Sequence, residues 1–193
     1  MKKAVLGLVV VLFVCTLAVS AQPVGKKFEL GLGWSFSSYK WSDAPESDYV
    51  INIPLRFGYY IWKGLEIEPE LMLTKIKHVD LGYNLVANVS YNFNLKGNLR
   101  PFVLAGVGFG NGYGIASIAE GDSSVDATLV NLGAGVKYLL GNVAALRAEY
   151  RYTHNHMKQD MEELYGITAE QAGSSITENL NEHQFLVGIS IFF

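Results

Sequence analysis

One cysteine, five prolines and 17% charged residues are sparse holdings for a chain of 193 residues. The cysteine, Cys15, sits in an apolar stretch near the start, so a disulfide framework or a paired-thiolate metal site is excluded. After residue 21 no apolar run approaches the roughly 20 residues that a membrane-spanning helix needs. Basic clusters interleaved with aromatic residues are missing too, and with a formal charge of −3 nothing points to nucleic acid. Half of the residues are nonetheless hydrophobic. Much hydrophobicity without long runs is what strict alternation produces.

The first residues follow another rule. Met1-Lys2-Lys3 is a positive start, Ala4 to Leu17 is apolar, and Ala18-Val19-Ser20-Ala21 offers small residues for cleavage. This is the pattern of a secretory signal peptide over 1–21, cut between Ala21 and Gln22, with one domain over 22–193. The apolar run is short for a retained span. Val14 stands before Cys15 where a lipoprotein site wants Gly, Ala or Ser. Loss of Lys2 and Lys3 with the leader leaves 13 basic against 18 acidic residues, a net charge of −5.

Eight segments then alternate with a period of two, the signature of strands between two different environments. In the first, Phe28, Leu30, Leu32, Trp34 and Phe36 alternate with Glu29, Gly31, Gly33, Ser35 and Ser37. In the last, Phe185, Val187, Ile189, Ile191 and Phe193 share a face opposite Gln184, Gly188 and Ser190. Tight links with turn residues at Trp62-Lys63-Gly64, Lys96-Gly97-Asn98 and Gly141-Asn142 alternate with longer ones near 42–48, 75–81, 111–124 and 154–182. Strands of about 9–13 residues match the roughly 9–11 that cross a bilayer at a tilt. A soluble lipocalin-like barrel shares the strand number but turns its apolar residues inward around a ligand. The glycines separate the two. Gly31, Gly33, Gly58, Gly106, Gly108, Gly110, Gly133, Gly135 and Gly188 share the face that carries the charges, as a crowded interior requires and a wet exterior does not.

The closing run His183-Gln-Phe-Leu-Val-Gly-Ile-Ser-Ile-Phe-Phe193, ending on an aromatic residue, resembles the terminal strand of bacterial outer-membrane β-barrels. The resemblance, closest to the small OmpA/OmpX-type proteins, implies an all-β, eight-stranded, antiparallel, up-and-down transmembrane β-barrel in the cell outer membrane of a diderm bacterium. Both termini are then periplasmic and the long loops extracellular. Phe193 would be part of the signal read by the barrel-assembly machinery during insertion. The implied partners are outer-membrane lipid and lipopolysaccharide, with an extracellular partner for the loops and no cofactor.

Closure matters because lipid offers no partner to backbone N–H and C=O groups, so the first strand must pair with the last. The interior of eight strands is only wide enough for side chains to fill. Glu29, Arg56, Glu66, Glu68, Glu70, Lys137, Arg147, Glu149 and Arg151 share the inward parity, five carboxylates against four cations. Such charges persist when paired, so a structural lumenal network is expected. The stripe Glu66-Ile-Glu-Pro-Glu70 also permits acid–base chemistry or a cation path, but partners for arginines are the plainer reading. Gly106-Val-Gly-Phe-Gly110 opens no helix and is no phosphate loop. Asp160 to Ala172, with Met161, Leu164 and Tyr165 at helical spacing, reads as an ordered turn of the last loop.

His154-Asn-His156 is the remaining cluster. His154 has the parity of the lipid-facing Tyr150 and Tyr152. This corner resembles the lipid A deacylases, small eight-stranded barrels whose lipid-facing site carries His-x-Ser-Asn and attacks an acyl ester through the serine. The match is at His154 alone, since His156 replaces the serine and Met157 the asparagine. A metal site from His154 and His156 with His183 or Asp160 is the other chemical reading, against a plain polar rim. The expectation is therefore a non-enzymatic barrel with a structural or surface-interaction role through its loops. The alternatives are a lipid A deacylase-like acyloxyacyl hydrolase and a small porin.

Overall fold

Eight antiparallel strands run in chain order: β1 Phe28–Tyr39, β2 Asp48–Trp62, β3 Leu65–Ile76, β4 Leu81–Asn92, β5 Leu99–Gly110, β6 Val125–Leu140, β7 Ala144–Gln159 and β8 Ile176–Phe192. Each pairs with its neighbour and β1 pairs with β8, closing an up-and-down barrel. This computed structural model describes residues 26–39, 48–77, 81–95, 97–111, 125–159 and 176–193. Residues 1–25, which hold the expected leader, and residues 160–175, including Asp160, Met161, Leu164 and Tyr165, lie outside the described residues.

The turns close as their residues dictate. Lys63 and Gly64 both have positive φ, 27° and 90°, and Gly141 takes 73°. Two successive residues of positive φ give the twist that a tight hairpin needs. Strands reach 12 to 17 residues, longer than the apolar alternation alone indicates. The largest departure lies at the last hairpin. Residues 154–182 read as a loop because their outward positions turn polar, yet β7 runs to Gln159 and β8 starts at Ile176. Pairing continues from Ala144↔Ile191 to Gln159↔Ile176. Backbone hydrogen bonding does not require apolar side chains, so the ladder outlasts the apolar stripe. His154 and His156 are therefore strand residues rather than loop-edge residues.

Parity sets the two surfaces. Leu32, Leu55, Leu85, Val107, Leu132, Leu146 and Ile189 point outward and are exposed, together with Phe36 at 64% of its full area. A contiguous apolar band of this extent needs an apolar partner outside. The charged and amide residues of the alternate positions point inward and are buried. Glycine supplies the space between them. A Cβ on Gly135 would lie 2.6 Å from Phe102 Cζ, and one on Gly33 would lie 3.1 Å from Arg56 Nη1.

Candidate functional site

The lumen is layered along the barrel axis, and the layers follow from which residues the eight registers bring to each level. At the end with the tight turns, Tyr60, Leu139, Ala145 and Phe192 form a small apolar cluster. Above it Lys137 Nζ reaches Glu29 Oε2 at 2.7 Å and Glu66 Oε2 at 3.1 Å. Tyr60 donates its hydroxyl to Glu29 Oε2 at 2.6 Å. Ser90 Oγ and Asn92 Nδ2 each donate to Glu66 Oε2 at 2.9 Å.

The middle layer is made of three arginines and three glutamates. Arg147 forks onto Glu68 at 2.5 and 3.1 Å and reaches Glu149 Oε2 at 2.9 Å. Arg56 Nε donates to Glu70 Oε2 at 2.8 Å. Arg151 forks onto Glu70 and donates from Nε to Glu149 Oε1 at 2.7 Å. Glu149 thus stands beside all three guanidinium groups, with Arg56 Nη2 at 3.5 Å. Two-pronged contacts of planar guanidinium with carboxylate are the strongest hydrogen bonds available to side chains. The three-against-three layer is electrically balanced. The surplus carboxylate of the lumen therefore belongs to the lower layer, where Lys137 serves both Glu29 and Glu66.

Above the charges the interior is neutral and polar. Asn52 donates to Ser35 and accepts from Thr74, and Asn84, Asn131, Thr153 and Asn155 are buried nearby. A cavity of about 10 Å³ is lined by Glu70, Met72, Asn84, Asn131, Arg151 and Gln184 among others. That is room for about one water, and Asn84 Oδ1, Asn131 Oδ1 and Gln184 Oε1 lack protein partners there.

All nine charges with the inward parity lie inside and buried, in two paired groups: Lys137 with Glu29 and Glu66, and the three arginines with Glu68, Glu70 and Glu149. The sequence reading passed over Tyr60 and Phe102. Phe102 is 1% exposed and its ring lies 5.5 Å from Lys137 Nζ and 4.4 Å from the Arg147 guanidinium, so it attracts a cation of each layer. Its parity, opposite to the outward Val103, was the available signal. Glu29, Glu66 and Glu68 bring carboxylate oxygens within 4.8 Å of one another, the geometry of a cation pocket. The Lys137 ammonium already bridges Glu29 and Glu66, so a metal is not needed to explain the cluster.

The histidines face the other way. His154 and His156 point outward from β7, and His183 points outward from β8 beside Tyr152. His154 Nδ1 lies 2.7 Å from Asn181 Oδ1, and His156 Nδ1 lies 2.9 Å from Asn179 Oδ1. Tyr152 donates to the same Asn181 oxygen at 2.7 Å, while Tyr150 Oη lies 2.6 Å from His183 Nδ1. Among the described residues the three histidines form no three-ligand set, and Asp160 lies outside them. Thr153 is buried, so the hydroxyl next to His154 points to the opposite side of the sheet. Thr128, the cross-strand neighbour of His156, carries an outward hydroxyl on β6.

A family model described as outer membrane protein beta-barrel domain matches residues 6–193. No curated protein matches the sequence. Among solved structures, Neisserial surface protein A is similar with a TM-score of 0.58 at 14% identity, over 86% of this chain and 97% of that one. A de novo designed transmembrane β-barrel gives 0.52 at 11% identity, over 91% and 100% of the two chains. The outer membrane protein OprG of Pseudomonas aeruginosa gives 0.50 at 14% identity, over 91% and 99%. At these identities the likeness concerns the fold.

Proposed function

This chain belongs to the outer membrane protein β-barrel domain family, and from that premise we propose a non-enzymatic barrel, sealed through its own interior, with a structural or surface-interaction role in the envelope. The observation that carries the reading is the lumenal network. Six buried charges in the middle layer pair with one another across the barrel, each cation against at least one carboxylate, which fills the lumen at that level with neutralised side chains. The leader over 1–21 would be removed on export, and both termini and the tight turns would face the periplasm. The long connections would then face outward and carry the contacts with an extracellular partner.

Conductance and lipid chemistry test this reading together. The folded protein in a planar bilayer should give no steady single-channel steps at neutral pH. It should also release no fatty acid from lipid A, because His156 occupies the position of the attacking serine. Large stable steps would replace this reading with a porin. Acyl release abolished by His154→Ala would replace it with an acyloxyacyl hydrolase.

A further inference from the structure

The seam between β1 and β8 is joined along less of its length than any other neighbouring pair of strands. β8 pairs with β7 over sixteen positions, from Gln159↔Ile176 to Ala144↔Ile191, but with β1 over only six, from Glu29↔Phe192 to Trp34↔Val187. Beyond Trp34, residues 35–39 pair with β2 alone, and from Leu186 back to Ile176 β8 pairs with β7 alone. Among the described residues, neither strand has a partner on the seam side above that level. The closed stretch is lined inward by small residues, Gly31 opposite Ser190 and Gly33 opposite Gly188. A Cβ on Gly188 would lie 2.8 Å from Gly33 Cα, so the backbones touch there. The next inward residue of β8 is the buried Leu186, and the ladder stops at it.

The cost of an open edge depends on where it lies. Phe36 stacks on Tyr49 with ring centroids 6.5 Å apart, and Phe185 lies 5.0 Å from Tyr150. Outward aromatic pairs of this kind mark the boundary between hydrocarbon and water. The open edges therefore begin within the bilayer, where backbone N–H and C=O groups find no solvent partner. What such an edge accepts is another extended backbone. The two edges are complementary to each other. β1 runs away from the end with the tight turns and β8 runs toward it, and the register of the closed stretch, carried on, sets Phe36 opposite Phe185. Both rings point outward, 64% and 76% exposed. Two copies facing each other across a two-fold axis along the membrane normal bring each β1 edge to the other's β8 edge. The strands are then antiparallel, both copies are inserted the same way round, and no edge is left over. Like edges brought together about the same axis would run parallel and leave the other two bare.

We propose that the open part of the β1–β8 seam is an interface between two copies of this chain, residues 35–39 of one protomer pairing with the strand around the partner's Phe185, and the reverse. The pairing rests on residence in the membrane and not on whether the barrel is an enzyme. Single-cysteine variants in a Cys15→Ser background test it. Phe36→Cys and Phe185→Cys proteins, folded together into phosphatidylcholine vesicles and oxidised, should give a band of twice the chain's mass that reducing agent abolishes. Neither variant alone should give that band, because like positions lie at opposite interfaces of the dimer. Val107→Cys, on the far wall of the barrel, should give none with Phe185→Cys. Heat-modifiable gel migration confirms that each variant is folded. A chain carrying both Phe36→Cys and Phe185→Cys should also be linked between molecules. Linkage of that chain only within itself, at monomer mass, would show that the seam zips shut in the bilayer and would overturn the proposal. Absence of linkage in the mixture, or equal linkage of either variant with itself, would overturn it too.

Discussion

The lumen and the outward edge of β7 and β8 are both polar, and they solve the same problem in opposite ways. Inside, Glu149 meets Arg56, Arg147 and Arg151, and opposite charges neutralise one another within 4 Å. Outside, His154 and His156 each place Nδ1 against the side-chain oxygen of Asn181 or Asn179, a neutral partner rather than a charged one. Enclosure explains the contrast. A charge removed from water must find its partner within the protein, so every lumenal cation stands against a carboxylate. A polar group at a membrane boundary can take its partner from water or from a lipid head group, so the outer ladder does not need a matched set of opposite charges.

The sharpest way to break the comparison is to remove one cation from the balanced layer. Arg147→Ala leaves Glu68 without its two-pronged partner and should destabilise the barrel by about 3–5 kcal/mol. Denaturant-dependent unfolding from lipid vesicles, followed by gel migration, measures it. A loss no larger than that of an exposed substitution would mean that water reaches the layer.

Next in size is a charge placed on the other surface. Leu132→Arg, in the middle of the outward band, should cost about 2–4 kcal/mol, whereas the same change at Leu99 beside the tight turn should cost about 0–1 kcal/mol. Refolding yields that show no dependence on depth would contradict the outward parity of β5 and β6.

The smallest expected effect distinguishes the two charged layers. Glu66→Gln removes the surplus charge, and its amide oxygen can still accept from Ser90 and Asn92, so stability should change by no more than about 1 kcal/mol. Glu68→Gln, opposite the Arg147 fork, should cost several times as much. Equal losses from the two substitutions would show that the surplus is not local to the lower layer.

Much of this organisation was legible in residue order because a strand has a period of two. Once Leu30, Leu32 and Trp34 were read as facing lipid, Glu29 and its counterparts on the other strands had to face inward, and closure followed from the lack of hydrogen-bond partners in lipid. Strand number, inward and outward faces, the tight turns and the identity of the nine lumenal charges were determined by the sequence alone. Parity says nothing of height along the axis. That Lys137 meets Glu29 from a strand 108 positions away, or that Phe102 lies beside both Lys137 and Arg147, depends on the stagger between strands, which eight paired registers set jointly. The extent of β7 and β8 was hidden for a related reason: their outward residues become polar while the backbone ladder continues, and the ladder leaves no mark on hydropathy. Only the tertiary structure decided which charges pair, where the surplus carboxylate lies, and that His154 and His156 stand against Asn181 and Asn179 of the neighbouring strand, because each of these is a relation between strands rather than a property of any one of them.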